Sequence, residues 1–410
     1  MPVDTTGCIL TNAGAWSNDG EWIAFDERSD AAGSSFDGSR ILAENVRTGE
    51  LVTLFEARHG ARCGVVAWHP HRHEVAFILG PEHPTAEYCY GPSRRLGAIA
   101  SLDRPGIAVP LEARDLVPPF TPGALRGGTH VHQWHPRGDW LSFTYDDDIL
   151  MSLGTNRRTV AIAWPGDVAV PKLHPRNRDG THASAVAVRT VLHPAEGSDE
   201  IGRACEEAWI GADGYVRPDG TRQRRALAFR GTVHDRGRSF DEVYVVDLLE
   251  RPPVPISAGE ADEMPPVPSG FAQRRLTFTA NDAFPGLAGP RHWLRSSPDG
   301  GRIGILRCDH RGVPQFCTVS PNGGAIEVAS DLEFGVASSF TWLPSGAAVA
   351  FISNGSVGLL DVSTGRWSPL TPPSDPPPRP EACVVSPDGS RIAFVRSIGG
   401  RNRLQIADAG

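Results

Sequence analysis

A short pattern returns seven times along the chain: an apolar strand carrying Trp or Ser, a tight turn built on Asp-Gly or Pro-Gly, and a second apolar strand. Five copies are plain: AWSNDGEWIAF from Ala15, QWHPRGDWLSF from Gln133, RSSPDGGRIGIL from Arg295, TWLPSGAAVAF from Thr341 and VVSPDGSRIAF from Val384. Two are weaker, since VVAWHPHRHEVAFIL from Val65 lacks the turn glycine and AWIGADGYVRPDGTRQRRALAF from Ala208 has an enlarged turn. Proline fixes φ, aspartate caps the turn and glycine accepts positive φ, so each copy predicts a hairpin. A further strand and turn follow several copies, as in ENVRTGELVTLF from Glu44 and LLDVSTGRWSPLT from Leu359. That makes about four strands per unit, a sheet that must pack between two like neighbours to bury both faces. The reading is all-β: a single seven-bladed β-propeller over residues 1–410.

The seam of the ring follows from a Leu-Thr pair. It ends an outer strand at Leu276 and Thr277 and at Leu370 and Thr371, and it recurs at Leu10 and Thr11, before the first copy. The last copy stops after a third strand, RLQIADAG. An N-terminal strand is therefore expected to join the last blade and remove its free edge.

Composition narrows the partners. With 45 glycines and 36 prolines in a periodic chain, turns rather than disorder are implied. A net charge of −8 without a basic block argues against nucleic acid and anionic membranes as partners. No run approaches the roughly 18 apolar residues of a membrane span, and the N-terminus lacks a signal-peptide pattern, so a cytoplasmic location is expected. Seven scattered cysteines without a CxxC pair suit a reducing compartment and speak against a cysteine-rich zinc site. No G-x-S-x-G elbow, P-loop or dinucleotide fingerprint occurs.

Chemistry is expected where the innermost strands converge on the channel. Aligning each on its turn yields Asn12, Gly64, His130, Glu206, His292, Ser338 and Glu381, two histidines and two acids that would share one volume. In GGTHVHQWHP, His130 and His132 are two apart on a predicted strand, which places both imidazoles on one face, able to chelate one ion, with His292 of PRHWLRSSPDG as the third nitrogen ligand. His135 replaces a turn serine, as His69 does. A second polar cluster fills residues 172–206, an insertion near the site, and includes His182, Arg189 and Glu206, with Glu207 directly after it. The alternative there is a solvated loop with a helix capped by Ser198.

The SPDG turns, IAF strands and LT pairs resemble the TolB-like propellers. The stretches GGTHVHQWHPRGDWLSFTYDD, KLHPRNRDGTH, GSDEIGRACEEAWIG, QRRALAF and FPGLAGPRHWLR look like a bacterial family of uncharacterised TolB-like proteins related to oligogalacturonate lyase. The lyase resemblance implies a divalent, manganese-type ion held by three histidines and a glutamine. His130 and His132 match its closely spaced pair and His292 its further histidine. The glutamine does not carry over, since Gly127 stands three before His130 and Gln133 would face the other side of the strand.

The resemblance then implies β-elimination on a saccharide, in which the ion stabilises an enediolate. His182 is the expected base and Glu206 a second catalytic group. Arg126 or Arg189 would clamp the substrate carboxylate, and Glu381 would contact substrate. Two other readings stand beside it: a non-catalytic propeller that docks a protein partner, and an epimerase or dehydratase acting on a sugar or nucleoside. Trp16, Trp68, Trp134 and Trp342 sit at repeat positions and read as core, which favours a site over an interface.

Overall fold

The hairpins are built on one small network. In the first copy the Ser17 hydroxyl donates to Asp19 Oδ1 at 2.5 Å and accepts the Trp22 N–H at 2.9 Å, while Gly20 takes a φ of 69°. Ser297 with Asp299 and Ser386 with Asp388 repeat it. In the second and third copies histidine takes the place of serine: His69 Nδ1 accepts the His71 N–H at 3.0 Å and His135 Nδ1 the Arg137 N–H at 3.1 Å. The structure, a computed structural model, describes all residues except 1–6, 12, 29, 31–34 and 382.

Seven antiparallel blades follow in chain order. Blade 1 holds β1 (Trp22–Asp26), β2 (Arg40–Asn45) and β3 (Leu51–Glu56), with an inner segment that bridges β1 at Ile9 and Trp16. Blade 2 is β4 (Cys63–Trp68), β5 (Glu74–Leu79), β6 (Leu96–Ser101) and β7 (Arg104–Pro110). Blade 3 is β8 (Gly127–Trp134), β9 (Leu141–Asp147), β10 (Thr159–Val168) and β11 (Gly180–Val186), with the short helix α1 (Asp148–Ser152) after β9. In blade 4, β12 (Arg203–Trp209) is innermost, and a small hairpin of β13 (Tyr215–Val216) and β14 (Arg222–Gln223) fills the enlarged turn. The rest of that blade is β15 (Ala226–Asp235), β16 (Arg238–Asp247) and β17 (Ala272–Arg275). Blade 5 holds β18 (Ile303–Cys308), β19 (Pro314–Val319) and β20 (Glu327–Val328). Blade 6 holds β21 (Thr341–Trp342), β22 (Ala348–Ser353), β23 (Ser356–Asp361) and β24 (Trp367–Pro369). Blade 7 holds β25 (Val384–Val385), β26 (Arg391–Ile398) and β27 (Arg401–Asp408).

Aromatic side chains fill the gaps between blades, with Trp140, Phe229 and Tyr244 between blades 3 and 4 and Phe316, Phe340 and Phe351 between blades 5 and 6. No helix forms after Ser198; the stretch there leads directly into β12, whose pairing with β15 overrides its helix propensity. Residues 172–206 comprise a loop, β11 and the connection into β12. No helix among the described residues is long and apolar enough to cross a membrane.

At the seam, Cys8 and Asn402 of blade 7 are joined, with Cys8 Sγ donating to Asn402 O at 3.5 Å and Asn402 Nδ2 donating to Cys8 O at 3.2 Å. Ile9 already bridges Asp26 of blade 1, so Leu10 and Thr11 belong to that blade's inner segment. The N-terminal strand expected to join blade 7 through the Leu10-Thr11 pair is not among the described strands, and residues 1–6 and Asn12 lie outside the described residues.

One irregularity positions the site. In β4, β8 and β12 the pairing skips a residue, between Gly64 and Ala67, His130 and Gln133, and Cys205 and Ala208. There Val65, Val131 and Glu206 take φ values of 59°, 60° and 55°. A left-handed β-branched residue costs on the order of 1–3 kcal/mol and persists only where its surroundings fix it. Such bulges bend the strand and re-aim its side chains.

Candidate functional site at the channel mouth

The starts of the inner strands surround a cavity of about 400 Å³. Thr11, Val65, His130 and Val131 reach it from blades 1 to 3, Arg291 and Trp293 from blade 5, and Glu381 from blade 7, with Arg28 and Phe36 added by the loop after β1. Val65, Val131, Ile78 and Trp293 pack into one apolar cluster beside Phe36, so the bulged valines form part of the wall.

The charged residues are held in place by partners behind the wall. Arg28 pairs with Asp26 at 2.6 Å and lies over the Phe36 ring at 4.6 Å. Burial raises the Asp26 carboxyl above its usual range against the pull of Arg28, and Asp26 Oδ1 also accepts the Val65 N–H at 3.1 Å. A Cβ on Gly64 would lie 2.6 Å from Asp26 Oδ2 and 2.7 Å from the Phe36 ring, so this close approach requires glycine. Arg291 pairs with Glu206 at 2.8 Å and lies over Trp293 at 4.9 Å, yet its side chain stays 54% exposed. Glu206 also takes Arg230 at 3.0 Å. Glu381 pairs with Arg379.

His130 is the imidazole at this cavity. Burial, reinforced by Arg95, Arg291 and Arg158, holds it well below its usual pKa, so the ring is neutral. His130 Nδ1 and Trp293 Nε1 are buried and have no hydrogen-bond partner among the described residues. Buried polar atoms are rarely left so, and water or a bound molecule is the usual remedy.

The other expected residues lie elsewhere. Left-handed Val131 breaks the two-residue alternation, so His132 leaves His130 and turns between blades 2 and 3. There it is fully buried, with Nε2 3.4 Å from Glu112 and its ring against Phe143. Burial alone would raise Glu112, but His132 and Arg178 hold it down to about 2. His292 is also fully buried, and both ring nitrogens are engaged: Nε2 accepts the Leu306 N–H at 3.2 Å, which leaves the proton on Nδ1 for Pro290 O at 2.8 Å. Burial takes its pKa down to about 3.

His182 sits on the outermost strand β11 beside Thr181 and Trp134, and it does not line the cavity. Arg126 is a buried strut that pairs with Asp147 at 2.6 Å and donates to the carbonyls of Glu260 and Glu263. Arg189 lines a separate hollow of about 470 Å³ against Tyr244, Phe271 and Gln273. Glu206 acts on the cavity only through Arg291.

The manganese-type ion therefore does not fit these residues. Of the three expected ligands only His130 faces the cavity, and no three His, Cys, Asp or Glu side chains among the described residues converge to hold a metal. Sequence reasoning missed Arg291 and Trp293, although they flank His292 and line the cavity that it does not. It also missed Arg28 and Phe36, for which no local pattern exists, and the bulged valines.

The fold and this mouth define a seven-bladed β-propeller with a polar, aromatic-walled cavity on its channel. The chain is 37% identical over 398 residues, 94% of its length and 92% of the relative's, to the "Uncharacterized protein YidR" of Escherichia coli (strain K12), and it belongs to that protein's family. Residues 62–178 match the family described as "Protein of unknown function (DUF3748)". Among solved structures, oligogalacturonate lyase from Vibrio parahaemolyticus superposes with a TM-score of 0.57 at 11% identity, covering 100% of this chain and 92% of that one. An oligogalacturonate lyase in complex with manganese gives 0.55 at 11%, covering 99% and 91%. TolB from Acinetobacter baumannii gives 0.40 at 16%, covering 97% and 82%. At such identities the likeness to the two lyases is one of fold.

Proposed function

We propose that the channel mouth binds a small ring compound bearing a carboxylate, of the sugar-acid class. The observation that carries this is Arg291, a guanidinium fixed by Glu206 and Trp293 that lines the cavity with its side chain 54% exposed. A guanidinium so oriented can take a carboxylate through two parallel hydrogen bonds. Trp293 and the edge of Phe36 offer apolar surface to a ring, and neutral His130 and Glu381 offer polar atoms to hydroxyls. Arg28, already spent on Asp26, adds positive potential.

A concave lining suits a small molecule better than a docked protein. Oligogalacturonate lyase, which shares the fold, is named for a substrate of this class. Metal-dependent elimination on this chain would need ligands other than His132 and His292. His130, with its depressed pKa, is a hydrogen-bonding group here rather than a strong base.

Calorimetric titration with galacturonate and digalacturonate tests the reading, with the methyl ester of galacturonate as the uncharged control. Saturable binding of the acids is expected, weakened at least about tenfold by Arg291→Ala, as suits a lost charge-assisted pair. Binding that survives Arg291→Ala unchanged, or no binding of either acid, sinks the proposal. Ultraviolet absorbance of oligogalacturonate mixtures with and without added manganese reports separately on elimination.

A further inference from the structure

Arg291 is the last member of a chain of charges that starts in blade 4. On β16, Asp241 Oδ1 accepts the Thr232 hydroxyl at 2.6 Å, and Asp241 Oδ2 pairs with Arg230 Nη2 at 2.9 Å. Arg230, on β15, places its Nη1 3.0 Å from Glu206 Oε2. Glu206, in the bulge of β12, gives its other oxygen to Arg291 Nε at 2.8 Å. The chain thus crosses into blade 5, where the Leu294 N–H also donates to Glu206 O at 3.2 Å. Only Arg291 reaches the mouth; Glu206, Arg230 and Asp241 do not line it.

Burial is graded along the chain. The side chains of Glu206, Arg230 and Asp241 are 8%, 14% and 18% exposed, against 54% for Arg291. A nearly buried carboxylate needs a partner for each oxygen, and here each oxygen of Glu206 has its own guanidinium. The consequence falls on Arg291. Because Arg230 occupies Oε2, Arg291 meets Glu206 through Nε alone, and neither of its Nη atoms makes a hydrogen bond among the described residues. The pair of Nη atoms is the end of a guanidinium that can grip a carboxylate by two parallel bonds.

We infer that Arg230 is a positioning residue for the mouth: it holds Oε2 of Glu206 and so keeps the Nη end of Arg291 open for a ligand carboxylate. The inference rests on the sugar-acid reading for its ligand, but not for its geometry. Without Arg230, Oε2 is nearly buried and unpaired, and the guanidinium already on Oε1 takes both oxygens side-on, through Nε and one Nη. That removes one of the two donors the ligand needs. Charge works in the same direction, because the two guanidiniums balance Glu206 and Asp241, and loss of Arg230 leaves a net anion that repels a carboxylate. Glu206→Gln reverses both effects, since a neutral amide neither draws in the fork of Arg291 nor carries the extra charge. A residue outside the lining therefore governs the mouth, and its loss is suppressible. A purely packing role for Arg230 would give no such recovery.

Phenylglyoxal, which adds across the two Nη atoms of a guanidinium, reads the open fork without any ligand. Peptide mass spectrometry follows its rate at Arg291, with exposed Arg251 as the internal reference. Arg230→Met is expected to slow Arg291 about threefold or more and to weaken galacturonate binding about tenfold, as suits one donor of a bidentate pair drawn away. Combining Arg230→Met with Glu206→Gln should return both to within about threefold of wild type. Unfolding would speed the reaction at Arg291 and so cannot imitate the expected fall; Arg230→Gln, with the same direction of change expected, takes over if urea unfolding shows Arg230→Met to be unfolded. The expected reactivities in a protein that binds no galacturonate would keep the positioning and remove the sugar-acid reading. An Arg291 rate that is unchanged or raised in the folded single variant, or a double variant as slow as the single, overturns the inference.

Discussion

His292 Nε2 accepts the Leu306 N–H and Ser338 Oγ accepts the Ile352 N–H, each from a residue fourteen positions further along the chain. The same spacing joins Gly64 to Ile78 and His130 to Thr144 by strand pairing in blades 2 and 3. Blades 5 and 6 thus let a side chain do the work of a missing strand carbonyl. The equivalence that suggested His292 as a metal ligand is real, but its basis is backbone satisfaction.

His292→Ala should therefore lower folding stability by about 2–4 kcal/mol, from an orphaned buried N–H and a cavity. Urea unfolding measures this. Calorimetry with manganese should find no difference between this variant and the wild type, and a loss of metal affinity would restore His292 as a ligand.

Acid should act through the same residue. His292 is neutral in the fold down to about pH 3, because burial depresses it, whereas the unfolded chain takes up the proton near the ordinary histidine pKa. Its contribution is present in full above roughly pH 6.5 and falls by roughly 1.4 kcal/mol per pH unit between there and about 3. Histidines 69, 135 and 182, each held near 4 by burial, act in the same direction. Urea midpoints measured from pH 7 to pH 4 should fall steeply, and less steeply in His292→Gln.

The seven blades were legible because Ser-x-Asp-Gly chemistry is local and repeats at every hairpin. Alignment on those turns also brought His130 and Glu381 to the mouth. What stayed hidden was the bulge: valine carries no sign of the left-handed φ that Val131 adopts, and that one residue separates His130 from His132. Arg291 and Trp293 would have followed had His292 been assigned to the packing behind the wall, since its two neighbours line the cavity instead. Arg28 and Phe36 reach the cavity along a loop, and long-range placement of that kind has no periodic signature.

Glu207 offers a test with the opposite sign. It is fully buried between blades 3 and 4, Thr144 Oγ1 donates to its Oε2 at 3.2 Å, and its Oε1 has no partner among the described residues. Burial pushes its pKa up to about 8, so the fold holds it protonated while the unfolded chain ionises near 4.5. Stability is then lost as pH rises through the window from about 4.5 to about 8. Glu207→Gln keeps the shape without the titration and should stabilise the protein by about 1–3 kcal/mol at pH 7, with little gain at pH 4.5. Equal gains at both values would show that ionisation plays no part.

Gly64→Ala should damage the mouth from behind. The added methyl meets Asp26 and Phe36 at once, and displacing them releases Arg28 and the Val65 N–H. A loss of about 1–3 kcal/mol is expected from overpacking, together with weaker galacturonate binding. Unaltered binding in a destabilised variant would remove Arg28 and Phe36 from the ligand site.

Trp209 Nε1 donates to Gln133 O and Trp342 Nε1 to Arg295 O, whereas Trp68 Nε1 and Trp134 Nε1 are buried without an acceptor among the described residues, which predicts an asymmetry among chemically identical substitutions. Trp209→Phe and Trp342→Phe each delete an indole hydrogen bond to a carbonyl of the preceding blade, at about 1 kcal/mol beyond the packing loss. Trp68→Phe and Trp134→Phe delete an N–H that already lacks an acceptor, so they cost the packing term alone and relieve a desolvated donor. Urea unfolding of all four variants should therefore place the pair from blades 2 and 3 closer to wild type than the pair from blades 4 and 6. Four equal losses would mean that the blade 2 and blade 3 indoles find acceptors in solution.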